Sequence, residues 1–171
     1  MITEPKIVER DVKLYMGIRT IAPFRTMFAE VNLLLKELRK WVNTKGVSEE
    51  GPFFLRLHVI DMAGPMDIEV GFVVTEATAI SIGAGDERVK PGILPGGRYA
   101  SLIYTNSGMA ANKALLNWGK ENGLTWDRWD MPEGDAFACR YEAYLTDYRV
   151  ESRKTKWEIE LAIKLADEQT I

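Results

Sequence analysis

A strand pattern that occurs once in each half of the chain constrains the fold more than any other feature. Over residues 157–165, aliphatic side chains alternate with glutamate, alanine and lysine, which is the period-two pattern of a half-buried strand. A similar phrase spans 67–73, and Glu69 matches Glu160 at an offset of 91 residues. The sequence therefore predicts an internal duplication with one strand glutamate in each copy.

The remaining patterns predict the same order of elements in both halves. The first half contains a predicted strand over 6–21, an amphipathic helix over 25–44, and strands over 53–60 and 66–74. The second half contains a predicted strand over 98–105, a helix over 109–122 with Ser107 as its N-cap, and strands over 137–145 and 157–165. A connector rich in glycine and proline, residues 76–97, joins the halves and holds a short strand near 89–94.

These elements predict an α+β fold. Two strand-helix-strand-strand (βαββ) units, paired edge to edge, form one antiparallel sheet with both helices packed on one face. Residues 1–171 are then one domain made of two pseudo-symmetric halves, about 6–75 and 89–166. The opposite face of the sheet is predicted to carry a ligand groove between the halves.

Composition excludes several classes of function. A net charge of −3 and a pI near 5.4 argue against a partner with a phosphate backbone. One cysteine, Cys139, and one histidine, His58, allow neither an intrachain disulfide nor a zinc cluster. No apolar run approaches the length of a membrane span. We expect a cytoplasmic protein without metal or cofactor, and with neither nucleic-acid nor membrane contact.

Strand alternation also predicts a site. An offset of 84 residues aligns Arg56 with Arg140, and alternation from Phe137 then places Cys139 under the helices. The opposite face collects a set of charged and aromatic candidates, namely Arg56, His58, Glu69, Tyr104, Arg140, Glu142, Tyr144, Glu158 and Glu160. Carboxylates beside aromatic rings suit an organic cation. Alternating charge is equally typical of a solvated sheet face, and the pattern alone leaves both interpretations open.

Two further features have alternative interpretations. His58 fits a packed or solvent-edge histidine better than a catalytic residue or a haem ligand. Trp126 and Trp129 lie in a predicted loop, where they form either a lid or a packing anchor.

Several phrases together resemble a known family. They are RKWVNTKG at 39–46, DIEVGF at 67–72, GILPGGRYA at 92–100, Met131-Pro132 ahead of RYEAY at 140–144, and WEIE at 157–160. Their order and spacing resemble the GyrI-like small-molecule-binding domain family. It includes effector-binding modules of multidrug-sensing transcription activators and free-standing gyrase-inhibitor-like proteins. The resemblance implies the duplicated strand-helix-strand-strand fold.

The resemblance also implies roles for particular residues. Glu142, Tyr144 and Glu160 match positions where relatives receive lipophilic cations, while Ala162 replaces a tyrosine that some relatives carry. Because these glutamates are accompanied by tyrosines, the leading hypothesis is a free-standing binder of a hydrophobic, cationic molecule. The first predicted strand begins near Met1 with no preceding helix-turn-helix, so we do not expect direct transcriptional control. The alternatives are a hydrolase of cyclopropane-type compounds, using Glu142 or Glu160 with Trp157, and a protein that modulates DNA gyrase.

Overall fold

The computed structural model describes residues 1–47 and 51–167. These residues form a curled antiparallel sheet of ten strands with three helices, which confirms the predicted α+β class. The strands are β1 (Lys6–Arg10), β2 (Lys13–Pro23), β3 (Phe53–Ile60), β4 (Pro65–Val74), β5 (Lys90–Leu94), β6 (Gly97–Tyr104), β7 (Arg128–Met131), β8 (Gly134–Phe137), β9 (Arg140–Tyr144) and β10 (Ile159–Lys164). The helices are α1 (Met27–Lys45), α2 (Glu76–Ile82) and α3 (Gly108–Glu121).

The two halves meet in the middle of the sheet. The strand order of the sheet is β1-β6-β10-β9-β3-β4-β2-β5. The β7–β8 hairpin also belongs to the sheet, because β8 pairs with the end of β3. The predicted order recurs as β2-α1-β3-β4 and β6-α3-β9-β10. Strands β3 and β9 pair antiparallel across the junction, with Leu55 opposite Glu142. The central pair therefore brings one strand from each half side by side.

The halves also exchange strands, which the sequence pattern does not reveal. The predicted first strand is two strands that separate at Asp11 and Val12. Strand β1 pairs with β6 of the second half, whereas β5, the short strand expected near 89–94, pairs with β2 of the first half. The connector also contains α2, a third helix where two were predicted.

The main core lies between the sheet and helices α1 and α3. Buried α1 residues at helical spacing, Val31, Leu34 and Leu38, pack on the alternate apolar side chains of the strands. Helix α1 ends at Gly46, which adopts φ 66° in the left-handed region that closes helices. Helix α3 begins after Ser107, but the Ser107 side chain makes no capping hydrogen bond.

The opposite face of the sheet is filled by an aromatic cluster. The Tyr15 and Phe54 rings meet edge to face at 4.9 Å between centroids, and Tyr99 and Tyr141 do so at 5.9 Å. Cys139 is completely buried in the same cluster. Such pairs add stability beyond the area that they bury. A pocket of about 700 Å³ opens on the helix face, whereas the groove was predicted on the opposite face.

Candidate functional site

An irregular break between β8 and β9, at Ala138 and Cys139, determines which β9 side chains lie on the helix face of the sheet. Phe137, the last residue of β8, packs in the helix-face core, but Cys139 already packs in the opposite cluster. The two strands pair with β3 in different registers, Val59 with Ala136 and Arg56 with Tyr141. After the break, side chains again alternate between the two faces. The odd-numbered positions now lie on the opposite face, although Phe137 before the break lies on the helix face.

Distant groups satisfy the backbone at this break. The Ala138 N–H donates to the Asp127 carbonyl at 2.9 Å. The Ala138 carbonyl accepts a hydrogen bond of 2.8 Å from Arg56 Nη2. The Cys139 carbonyl accepts from the Lys164 N–H at 2.9 Å. Because buried backbone groups need partners, these bonds hold the irregular conformation.

The reversal corrects the predicted faces of β9. Residues 140, 142 and 144 lie on the helix face, since Glu142 is opposite both Leu55 and Leu161 of the main core. The predicted placement on the opposite face is wrong for Tyr104, Arg140, Glu142 and Tyr144, as is that of Cys139 under the helices. A shift of one residue moves every side chain of a strand to the other face of the sheet. The even offset of 84 residues between β3 and β9 therefore assigned the β9 side chains to the wrong faces.

Glu142 lies at the floor of a pocket of about 700 Å³ between α1, α3 and the sheet. Volumes of this size hold drug-sized molecules. Most of the lining is apolar and comes from Phe24, Met27, Phe28, Leu57, Ile60, Met62, Met66, Met109, Leu116 and Ile159. Phe28, Met62 and Met109 are more than half exposed in this structure and form an apolar rim.

Glu142 is buried, with 8% of its surface exposed. The Tyr104 hydroxyl donates a hydrogen bond to Glu142 Oε1. Burial raises the pKa of Glu142, and the opposing effects of Tyr104, Arg140 and Lys154 do not cancel the rise. Burial beside this carboxyl also raises the pKa of Tyr104. The pair thus offers one buried group that can accept a charge-assisted hydrogen bond or exchange a proton.

Aromatic side chains support the carboxyl from the side. Tyr144 lines the pocket and packs edge to face on Trp157, with ring centroids 5.5 Å apart. Trp157 is buried behind Tyr144, where its indole N–H donates to the Glu151 carbonyl at 2.6 Å. Trp157 therefore positions Tyr144 and does not line the pocket itself.

Two basic side chains share the pocket with Glu142. Arg140 Nη2 donates to Asn112 Oδ1 of α3 at 2.6 Å, and Lys154 Nζ donates to Asn32 Oδ1 of α1 at 3.3 Å. Burial lowers the pKa of both basic groups, although the Glu142 carboxylate opposes this effect. Sequence reasoning missed Lys154 because it lies in the charged segment between the last two predicted strands, with no pattern to distinguish it.

Glu69 and His58 belong to a separate cluster on the opposite face. Glu69 Oε1 accepts from the Tyr15 hydroxyl at 2.7 Å and lies 2.8 Å from His58 Nε2. Burial opposes ionisation of Glu69, but the hydrogen bonds from His58 and Tyr15 outweigh burial and lower its pKa. These residues line a second pocket of about 460 Å³, with Trp129 at its edge.

Glu160 lies outside the main pocket. It faces the side opposite to the helices, where it accepts from the Ser101 hydroxyl at 2.9 Å and forms an ion pair with Arg10. The structure thus brings Tyr104, Arg140, Glu142 and Tyr144 together in one pocket. The other residues predicted to bind a ligand, which lie outside this pocket, are His58, Glu69, Trp157 and Glu160.

The described residues contain neither a metal-binding cluster nor a membrane-spanning helix. Within 1–47 and 51–167, no cluster of three or more His, Cys, Asp or Glu could hold a metal ion. No helix in this part of the chain is long and apolar enough to cross a membrane. Of the two loop tryptophans, Trp126 packs into the main core against Gly119 of α3, whereas Trp129 is half exposed in β7.

Solved structures with the same fold include both binding proteins and enzymes. The C-terminal domain of EcmrR is 14% identical, with a TM-score of 0.63 and coverage of 96% of this chain and 98% of that one. SAV2435 bound to tetraphenylphosphonium is 8% identical, with a TM-score of 0.58 and coverage of 96% and 94%. A hydrolase from Listeria innocua is 10% identical, with a TM-score of 0.57 and coverage of 95% and 92%.

The chain corresponds to only part of some matched proteins. It spans 58% of EcmrR in the complex of EcmrR with DNA, at a TM-score of 0.69. No curated protein matches the sequence. The family model described as the GyrI-like small molecule binding domain matches residues 3–166. The chain therefore belongs to the GyrI-like small molecule binding domain family.

Proposed function

We propose that the protein binds a hydrophobic, cationic small molecule in the pocket between α1 and α3. The observation that carries this proposal is the buried Glu142 carboxyl at the floor of a largely apolar cavity of about 700 Å³. Apolar walls desolvate the ligand, and a carboxylate in such surroundings attracts a positive charge more strongly than in water. The Tyr144 ring adds a face for cation–π contact.

Tetraphenylphosphonium is the first probe, because a relative with this fold has been solved with it. Glu142→Gln removes the charge but keeps the shape of the side chain. Tetraphenylphosphonium has no hydrogen-bond donor, so its attraction to the carboxylate is Coulombic. At a separation of about 6 Å and an effective dielectric constant of about 20 this attraction is about 3 kcal/mol, so its loss should lower the affinity by roughly tenfold or more. Isothermal titration calorimetry measures the change.

Glu160→Gln is the matched control, since Glu160 is the same residue type on the opposite face of the sheet. Its affinity for tetraphenylphosphonium should stay within about twofold of the wild type, a difference of roughly 0.4 kcal/mol. Undiminished binding by Glu142→Gln would refute the role of the carboxylate, and absence of binding to the wild type would refute a tetraphenylphosphonium site.

The raised pKa of Glu142 gives the same proposal a second readout. Because burial raises this pKa above its ordinary value of 4.5, the carboxylate forms only at higher pH. Affinity for the cation should therefore rise with pH above 4.5 and level off once Glu142 is ionised. The Glu142→Gln variant should lack this rise.

A second candidate function is hydrolysis of an electrophilic small molecule. The specific observation is that Glu142, with its raised pKa and its hydrogen bond from Tyr104, is suited to act as a general acid or base. Fluorogenic ester and strained-ring substrates provide the assay. If Glu142 is the acid or base, Glu142→Gln should abolish turnover while substrate binding persists. Absence of turnover by the wild type would leave binding as the only function proposed for this pocket.

An interaction with DNA gyrase stays a prediction, which a pull-down with purified gyrase would test.

A further inference from the structure

The charges that line the main pocket do not balance. Glu142 is the carboxylate among them, whereas Arg140 and Lys154 are both basic. A third basic residue, Lys113, is exposed at the rim. Within the described part of the chain, neither Arg140 nor Lys154 has a carboxylate oxygen within the 4.0 Å of an ion pair. The inner pocket therefore holds two basic groups beside one acid.

Neutral partners hold both basic side chains in place. Arg140 donates to Asn112 and lies over the Phe137 ring, 4.8 Å from its centroid. Its Nε is buried without a hydrogen-bond partner among the described residues. Lys154 donates to Asn32, and its Nζ lies 5.0 Å from the Tyr144 ring centroid. Amides and rings orient these cations, but they supply no net negative charge.

Glu142 is consequently shared between the two cations. It favours the charged form of both Arg140 and Lys154, while Asp135 of β8 also acts on Arg140. Charges removed from water are stable only when opposite charges or hydrogen bonds compensate them. A ligand with only a positive charge would compete with both side chains for one carboxylate, and Lys154 would have no other compensating anion among residues 1–47 and 51–167.

We propose that the natural ligand is zwitterionic, with its positive group at Glu142 and Tyr104 and a carboxylate facing Lys154 and Arg140. This inference rests on the proposed function and names the chemical class of the ligand. The body between the two charges is apolar and aromatic, because the rest of the lining is apolar. When the positive group of such a ligand pairs with Glu142, the carboxylate of the ligand compensates the charge of Lys154.

Two dyes with one ring system test the proposal. Rhodamine 110 carries a free carboxylate and is zwitterionic, whereas rhodamine 123 is its methyl ester and is cationic. Fluorescence polarisation should give the wild type an affinity for rhodamine 110 roughly tenfold higher than for rhodamine 123, as a charge-assisted contact requires. Lys154→Met, which keeps the aliphatic stem, should remove this preference by weakening the binding of rhodamine 110.

Lys156→Met is the matched control. Lys156 lies with Lys154 in a short 3₁₀ turn, Lys154–Lys156. It carries the same charge as Lys154 but does not line the main pocket. This variant should keep the wild-type preference. Because both variants change the net charge equally, a loss confined to Lys154→Met reports a local contact.

The outcomes separate this inference from the proposed function. Equal or weaker binding of rhodamine 110 would overturn the zwitterion, as would binding of tetraphenylphosphonium but of neither dye. Tighter binding of the anion fluorescein than of rhodamine 110 would also overturn it, by removing the need for a positive group. If tetraphenylphosphonium binds through Glu142 without any preference for a carboxylate, the proposed function stands and the zwitterion fails.

Discussion

Replacing Arg56 with methionine should destabilise the fold through the break that turns Glu142 into the pocket. Arg56 donates to the Ala138 carbonyl at 2.8 Å, to the Ile93 carbonyl at 2.9 Å and to the Tyr15 hydroxyl at 3.1 Å. Methionine fills similar space along the stem but makes none of these bonds, so two carbonyls lose their donors.

The magnitude follows from these contacts. Hydrogen bonds from a charged donor contribute about 1.5–3 kcal/mol each and are not additive. Removing one partner from a buried charged network costs about 3–5 kcal/mol. We therefore expect Arg56→Met to lower the free energy of unfolding by about 3 kcal/mol or more, which lowers Tm by roughly 6–12 °C in a chain of this size.

Urea unfolding followed by tryptophan fluorescence measures the loss. Arg19→Met is the matched control, because Arg19 is an exposed arginine on β2 whose ion pair with Asp67 should contribute about 1 kcal/mol at most. Equal losses in the two variants, or a loss below about 1 kcal/mol for Arg56→Met, would refute the importance of the buried network.

The single cysteine adds a local readout. Cys139 is fully buried and directly follows Ala138, so its thiol becomes reactive only when this region opens. Under native conditions, Arg56→Met should speed thiol labelling by more than the loss of global stability explains, because the break opens locally. Labelling that tracks global unfolding alone would mean that Arg56 does not hold the break.

Two further predictions concern other parts of the fold. Since the folded-state pKa of Glu69 is lowered below 4.5, its ionised carboxylate stabilises the protein above that pH, and this contribution is lost as pH falls through the folded-state value. Glu69→Gln should therefore cost about 1.5–3 kcal/mol at neutral pH and progressively less in acid, as measured by urea unfolding; a pH-independent cost would contradict this linkage. Gly119→Ala places a Cβ 2.3 Å from a ring carbon of Trp126, and we expect it to destabilise by about 1–3 kcal/mol, also in urea. Helix propensity alone would stabilise this variant by up to about 1 kcal/mol, so the sign of the change decides between close packing and propensity.

Local patterns in the sequence determined much of the architecture. Period-two alternation and helical spacing identified α1, α3 and most strands, because each element buries one face and therefore carries a periodic signal. The recurring glutamate phrase indicated the repeat, and the resemblance identified the family that the match over 3–166 confirms. The same resemblance put Glu142 forward as a candidate carboxylate, together with Glu160.

Only the tertiary structure decided which candidates share a pocket. The sequence treats 137–145 as one strand, but the break at Ala138 and Cys139 reverses its faces, and distant groups such as Arg56 and Asp127 satisfy that backbone. Alternation carries no record of such a break, because the break changes the phase without changing the pattern on either side of it. Glu142 consequently faces the helices, while Glu69 and Glu160 face away from them.

The same physical reason explains Lys154. Its position in the pocket depends on α1, α3 and the turn before β10 meeting in space, and no local periodicity describes that meeting. The sequence by itself therefore predicted the repeat, the α+β class and Glu142 as one of the candidate acids. Long-range hydrogen bonds and packing decided the direction of that acid and the two cations that surround it.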